Sequence, residues 1–400
     1  MRFSGPADQA MSRHFRNNRD LGQADRAFVA ETVYGALRRR RSLAAAAQSE
    51  SPYSLVLASL VRLQGLSVRA VADAVREKDL ALLERARAAR VEDHPPAVQL
   101  DLPDWLWERL VADYGTGEAR AIAQGLLATA PMDLRVNAVK TSRETALGEL
   151  RATGLVGEPT PFSPTGIRIA GKPAINRHAL FLDGRVEVQD EGSQLLAAIV
   201  APRRGEMVVD FCAGGGGKTL ALGATMRNTG RLYAFDVSAK RLAGLDPRLA
   251  RSGLSNVHPV AIANENDLRV KRLAGKIDRV LVDAPCTGFG TLRRNPDLKW
   301  RFVEKDVAEL VEKQSRILAA AARLPRAGGR LVYATCSVLR EEGEAIAEGF
   351  LASHRDYAQA SCAEILAAQG IGLDTGMNLR LFPHLHQTDG FFAAAFERRS

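Results

Sequence analysis

From about Val186 onward the chain alternates short apolar runs with helix-length stretches, and nothing else in it limits the fold so much. The runs are Met207–Phe211, Arg231–Phe235, Val257–Ile262, Arg279–Val282 and Gly329–Ala334. Strand-like runs separated this way build a parallel sheet with crossover helices, because parallel neighbours cannot be joined by a tight turn. Phe391–Phe396 is expected as a terminal strand, antiparallel and at the sheet edge. The expected fold is α/β, with a doubly wound Rossmann-like domain over residues 186–400.

The preceding chain reads differently. Residues 1–95 look helical. Ala24–Leu43 places Phe28, Val29, Val33, Tyr34 and Leu37 on one stripe and ends in Arg38–Arg41, cations that suit a helix C-terminus. Those arginines read equally as a phosphate-binding edge or a solvated helix end. Ser54–Gln64 and Val68–Arg90 continue the helical pattern. With no Cys and no glycine loop, this module is suited to binding rather than chemistry. Pro95-Pro96 breaks the pattern. Residues 96–185 then read as a small α+β module, with helices Trp105–Tyr114 and Glu118–Thr129, an amphipathic Ser142–Ala152, and strands Leu134–Asn137 and Gly166–Ala170; a further strand, Val186–Val188, opens the last part. Trp105 and Trp107 cannot share a helix face, so one is expected in the core and one on the surface.

Four hundred residues exceed one ordinary core, in keeping with several domains. Lys and Arg total 55 against 46 Asp and Glu, a net charge of +9 that suits a polyanionic partner without requiring one. No apolar run approaches the roughly 20 residues of a membrane helix, and the N-terminal stretch lacks an apolar signal core. Four cysteines are too few for a disulfide scaffold. The expectation is a cytoplasmic monomer with free thiols.

Val208–Phe211 runs into Cys212, Ala213, Gly214, Gly215, Gly216, Gly217, Lys218 and Thr219, then helix Leu220–Met226. Strand, glycine loop and helix form a nucleotide-binding arrangement, in which the backbone and helix N-terminus face the ligand. The loop is not a P-loop, since Cys212 stands where that motif needs glycine. The next strand ends in Asp236, roughly 20 residues on, placed to accept from both hydroxyls of a ribose. NAD and S-adenosylmethionine both remain open on these residues.

Cys286, in Asp283-Ala284-Pro285-Cys286, and Cys336, in Thr335-Cys336-Ser337, each follow a strand. Both therefore stand at the ligand crevice of an open sheet. A lone Cys is usually a small buried hydrophobe, but two at strand ends beside a glycine loop and a ribose-type Asp are harder to set aside. Neither has a CxxC partner, so no metal is expected. A thiolate beside an adenosine cofactor suits methylation of cytosine carbon 5. Addition of sulfur to carbon 6 makes carbon 5 nucleophilic, a carboxylate near the ring nitrogen stabilises the adduct, and a second thiol can take the carbon 5 proton.

VVDFCAGGGGKT (208–219), DRVLVDAPCTGFGTLRRNPDLKW (278–300), LVYATCS (331–337) and DGFFAAAF (389–396) resemble the RNA cytosine-5 methyltransferases of the Sun/Nop2 type. The whole chain resembles their bacterial 16S rRNA branch, the RsmB/Sun family. VEVQDEGSQL (186–195) resembles the lead-in to the catalytic domain, RVN (135–137) the small RRM-like module, and ADRAFVAETVYGALRRRR (24–41) a NusB-type helical RNA-binding domain. The resemblance implies S-adenosylmethionine as cofactor and 5-methylcytidine in 16S rRNA as product. It implies Cys336 as nucleophile, Cys286 as the residue that assists release, Asp283 at the cofactor amino end and the ring nitrogen, and Lys218 toward the reaction centre. The loop Cys212–Lys218 would hold the methionine part and Asp236 the ribose. Asp267 is the expected adenine-side residue, with Asn264 or Asn266 as alternatives. Transfer RNA as substrate and a silent assembly factor are the rival readings.

Two departures stand out. The family loop usually reads CAAPGGKT, so Gly214 and Gly215 replace Ala and Pro, which should loosen the unbound loop. Arg340-Glu341-Glu342-Gly343-Glu344 replaces Pro-Glu-Glu-Asn-Glu. Arg293, Arg294 and Lys299 are expected against RNA phosphates or neighbouring structure. His384 and His386 are expected on opposite faces of a strand, His384 on the RNA side. Cys212 and Cys362 are expected as buried structural residues.

Overall fold

The computed structural model describes residues 5–399. The chain forms two compact units. One runs up to Thr129 and includes Thr291–Asp306; the other comprises Ala130–Gly290 and the chain from Val307 on. These limits differ from residues 1–95, 96–185 and 186–400.

The second unit contains two sheets. In the smaller, β1 (Met132–Val136), β2 (Gly157–Pro159), β3 (Gly166–Ile169) and β4 (Val186–Val188) are ordered β2-β3-β1-β4, with every pairing antiparallel. The run at 186–188 therefore completes this sheet rather than the large one. Helix Arg143–Ala152 packs on it, capped by Ser142, whose hydroxyl accepts from Thr145 N.

The larger sheet comprises β5 (Met207–Asp210), β6 (Arg231–Asp236), β7 (Val257–Ala261), β8 (Ile277–Asp283), β9 (Pro325–Thr335), β10 (Tyr357–Ala360), β11 (Leu379–Leu381) and β12 (Phe391–Arg398). Its order is β10-β12-β9-β8-β5-β6-β7, with β11 pairing to β12. Strands β5 to β9 are parallel. The order reverses direction beside β5, so a crevice opens past the C-terminal ends of β5 and β8. Alternate strand residues feed two cores: Val208, Leu281 and Val332 lie on one face, Val209, Val280 and Tyr333 on the other. Strand β12 is antiparallel to β9, as expected, but it is not the edge; β10 lies outside it. Its six residues Phe391–Phe396 are all buried, which requires cover on both faces and both sides. Pro383–His386 is a short helix rather than a strand. Among the described residues no helix is long and apolar enough to cross a membrane.

The first unit is helical around Leu43, Ala47, Leu55, Ala58 and Leu83. The helix expected over Ala24–Leu43 is in fact two, Gln23–Arg38 and Arg40–Ala47, parted at Arg39 (φ −113°, ψ 30°). Buried Asp101 causes the break. Its carboxylate accepts from Ser42 N at 2.9 Å and Ser42 Oγ at 2.8 Å, capping the first turn of the new helix. Three of the four arginines at this junction, all partly buried, have protein partners. Arg41 donates to Leu102 O and Asp104, Arg40 pairs with Glu50, and Arg38 donates to Arg293 O. Trp105 and Trp107 are both half-buried, against the expected core and surface split.

Arg293 and Lys299 are buried here as well, at 4% and 2% exposure, so the expected RNA phosphate contacts are replaced by protein ones; Arg294 is half-buried. Lys299 Nζ donates to Arg38 O at 2.9 Å and Trp300 Nε1 to Leu37 O at 2.7 Å. These carbonyls end the helix Gln23–Arg38 and lack helical partners, so the inserted segment satisfies them. Burial pushes the Lys299 ammonium down to about 7, against the pull of Asp101. Above that value the unfolded chain holds a proton the folded one has released, so stability should rise with pH from about 7 toward 10.5. Lys299→Met should flatten that rise in thermal unfolding followed across the window. An unchanged slope would show that Lys299 folds as an ordinary charged lysine.

Candidate active site

The loops after β5 to β9 enclose a cleft of about 660 Å³ in the second unit. Its floor is the turn from β5 into helix Gly217–Thr225. Asp210, fully buried at the end of β5, accepts from Thr219 Oγ1 at 2.7 Å and ties strand to helix. Burial pushes its carboxyl up to about 7. Gly216 sits at φ 80°, and a Cβ there would lie 2.1 Å from Leu245 Cδ1, so only glycine fits. Gly214 N donates to Asp236 Oδ2 at 2.9 Å. Cys212 is half-buried on the cleft wall, its thiol raised by burial.

Beyond the glycines stand the two expected cysteines. Cys286 Sγ and Cys336 Sγ are 3.4 Å apart. The contact with Cys336, together with burial, holds the Cys286 thiol well above the ordinary cysteine range. Lys218 Nζ donates to Asp283 Oδ2 at 2.7 Å. Burial alone would lower this ammonium, but Asp283, and then Cys336, more than offset it, so Lys218 stays charged. The four expected groups thus converge at one end of the cleft.

Glu342, whose role the sequence did not reveal, holds the two cysteine loops together. It is fully buried. Oε1 accepts from Thr287 N and from Gln314 Nε2, each at 2.9 Å. Oε2 accepts from Thr287 Oγ1 at 2.5 Å and Ser337 Oγ at 2.6 Å. Thr287 follows Cys286 and Ser337 follows Cys336, so one carboxylate fixes both thiols. Gly290 N donates to Cys336 O at 2.9 Å, and a Cβ on Gly290 would strike Gly390 O at 2.0 Å.

The family described as 16S rRNA methyltransferase RsmB/F matches residues 197–397, and its ferredoxin-like domain matches residues 102–176. A Synechocystis protein named probable ribosomal RNA small subunit methyltransferase B is 32% identical over 98% of this chain and 94% of its own length. The chain belongs to the RsmB/F family of 16S rRNA methyltransferases. A Xylella fastidiosa protein named ribosomal RNA small subunit methyltransferase B is 36% identical over 78% of this chain and 70% of its own. The solved structure of PH0851 shares the fold at TM-score 0.80 and 25% identity, over 98% of this chain and 95% of that one. NSun6 from Pyrococcus horikoshii, solved with SFG, shares the fold at TM-score 0.66 and 22% identity, over 74% and 98%.

As a member of that family the protein is an S-adenosylmethionine-dependent rRNA methyltransferase. The cleft suits the cofactor: a backbone cradle at Gly214–Gly217, a carboxylate at Asp236, an exposed apolar side chain at Val237 and polar groups at Asn264 and Glu265. Asp236 already accepts from Gly214 N, Ser238 N and Arg241 Nη2. With about four lone-pair sites on a carboxylate, it has room for one further donor rather than two unless Arg241 turns away. Asp267 does not line the cleft. Its oxygens accept from Ala263 N and Arg269 N and cap helix Leu268–Lys271. Asn264, one of the alternatives, does line it; Asn266 does not. Cys362 is fully buried in the core. Among the described residues no cluster of His, Cys, Asp or Glu could hold a metal.

Glu342→Ala should cost about 3 kcal/mol or more, because it orphans several buried donors at once. Glu342→Gln should cost less, since an amide oxygen can keep Thr287 N while its NH₂ donates to the hydroxyls. Thermal unfolding and methyl transfer should fall together in the Ala variant; wild-type behaviour in both would show that the loops are held by something else.

Proposed function

We propose that this cleft forms 5-methylcytidine in 16S rRNA through a covalent cysteine–cytosine adduct. The observation that carries the reading is the 3.4 Å contact between two thiols on separate loops, beside the Lys218–Asp283 pair. The glycine loop and Asp236 would hold the methionine and ribose parts of S-adenosylmethionine, with Asn264 or Glu265 at the adenine. When bound, the cofactor supplies the methyl group.

The Cys336 sulfur, as thiolate beside the Lys218 ammonium, adds to carbon 6 of the ring. The displaced electron pair makes carbon 5 nucleophilic. The ring nitrogen takes up a proton from water as sulfur adds and gives it back as sulfur leaves, and the Asp283 carboxylate stabilises the protonated form between. Once bonded to carbon 6, the Cys336 sulfur no longer makes the thiol–thiol contact that, with burial, holds the proton on Cys286. Cys286 can then release its proton to water in the cleft and, as thiolate, take the one on methylated carbon 5, after which Cys336 leaves as thiolate. The target cytidine must expose its carbon 6 face, so it is unstacked or flipped. The helices before residue 95 would grip flanking RNA, and the reaction would proceed in the reducing cytoplasm.

Cys336→Ala should abolish turnover, whereas Cys286→Ala should accumulate a protein–RNA adduct that migrates slowly on a denaturing gel. Free migration of the Cys286 variant would sink the two-thiol route. Labelled methyl offered with unmodified small-subunit rRNA and total tRNA should appear as 5-methylcytidine in rRNA alone. Label only in tRNA would overturn the substrate, and binding without transfer would favour an assembly factor.

A further inference from the structure

Four consecutive glycines, Gly214–Gly217, carry no side chain with which to hold the cofactor loop in shape. Gly214 and Gly216 adopt φ 56° and 80°. Ordering such backbone is entropically costly, most of all for glycine. The loop therefore keeps its form only where neighbours hold its polar atoms. Asp236 accepts from Gly214 N, Ala213 O accepts from Gly216 N, and Leu245 packs under Gly216. The remaining tether lies at exposed Gly215, whose carbonyl accepts from Arg248 Nη1.

Arg248 is itself held. Its Nε and Nη2 donate to Glu187 Oε2 at 3.3 and 3.0 Å. Glu187 stands on β4 of the small sheet, with its side chain 6% exposed. A Cβ added to Gly215 or Gly217 would meet the guanidinium at 3.7 or 4.0 Å, so the fork lies against the loop over its outer turn. We infer that Arg248 is a positioning residue, anchored by Glu187, that stiffens the glycine loop before the cofactor arrives. Its fixed planar fork is what lets one side chain span a carboxylate and a carbonyl. The inference rests on the cleft being the S-adenosylmethionine site.

The test uses full-length protein, calorimetric titration with S-adenosylhomocysteine, and amide hydrogen exchange of residues 212–218 without ligand. Arg248→Ala should weaken binding roughly 10-fold or more. It should speed exchange in the unliganded loop, raise KM for the cofactor and leave kcat at saturating cofactor within about twofold. Arg248→Lys should fall between, because an ammonium cannot hold both partners. Unchanged affinity would overturn the inference. Weaker binding with unchanged exchange in the unliganded loop would also overturn it, by making Arg248 a direct ligand contact. Failure of the unaltered protein to bind would overturn the cofactor reading and this inference with it.

Discussion

The buried carboxylate of Glu342 is the point on which the pairing of the two thiols depends. Cys286 and Cys336 belong to loops that follow different strands and are 50 residues apart in sequence. Nothing covalent fixes their separation. Glu342 accepts a backbone N–H and a hydroxyl from Thr287 and a hydroxyl from Ser337, so the residues after each cysteine share one acceptor. Buried charge is costly unless its hydrogen bonds are complete, and here Gln314 Nε2 adds a further donor. The thiol separation is therefore set by a hydrogen-bonded carboxylate together with the close backbone contact of Gly290 with Cys336.

The sheet supplies the rest. Because β5 and β8 are neighbours at the reversal of strand order, the glycine loop and the Asp283–Cys286 loop open into the same crevice. Lys218 enters from the first and Asp283 from the second, and their ion pair closes the space between them. Charge is thus concentrated at the Lys218–Asp283 pair, while the two cores on either face remain apolar.

The parallel strands were legible because burial on both faces writes continuous apolar runs. Cys286, Cys336, Asp283 and Lys218 were legible because strand-end positions and motif spacing agree. What escaped depended on distant partners. The break at Arg39 follows from Asp101, which no local pattern announces. Glu342 sits in a polar run that reads as surface, yet it is the most deeply bonded carboxylate of the site. Lys299 and Arg293 looked like phosphate contacts because charge is usually exposed; here they serve helix carbonyls and a buried segment. Asp267 had the right residue type near the right strand, but capping consumes its oxygens. Strand β10, four residues long and half-buried, gave no pattern of its own.

The excursion of Thr291–Asp306 into the first unit bears on how the chain leaves the ribosome. The N-terminal helices are made first, yet the ammonium and indole that close the helix at Leu37 and Arg38 arrive only with Lys299 and Trp300. At roughly 5–20 residues per second, that wait lasts on the order of tens of seconds. During it the early helices must persist with two carbonyls open to water while four of the eight strands of the larger sheet, β5 to β8, are synthesised. The first unit is therefore complete only when chain made after strand β8 has emerged.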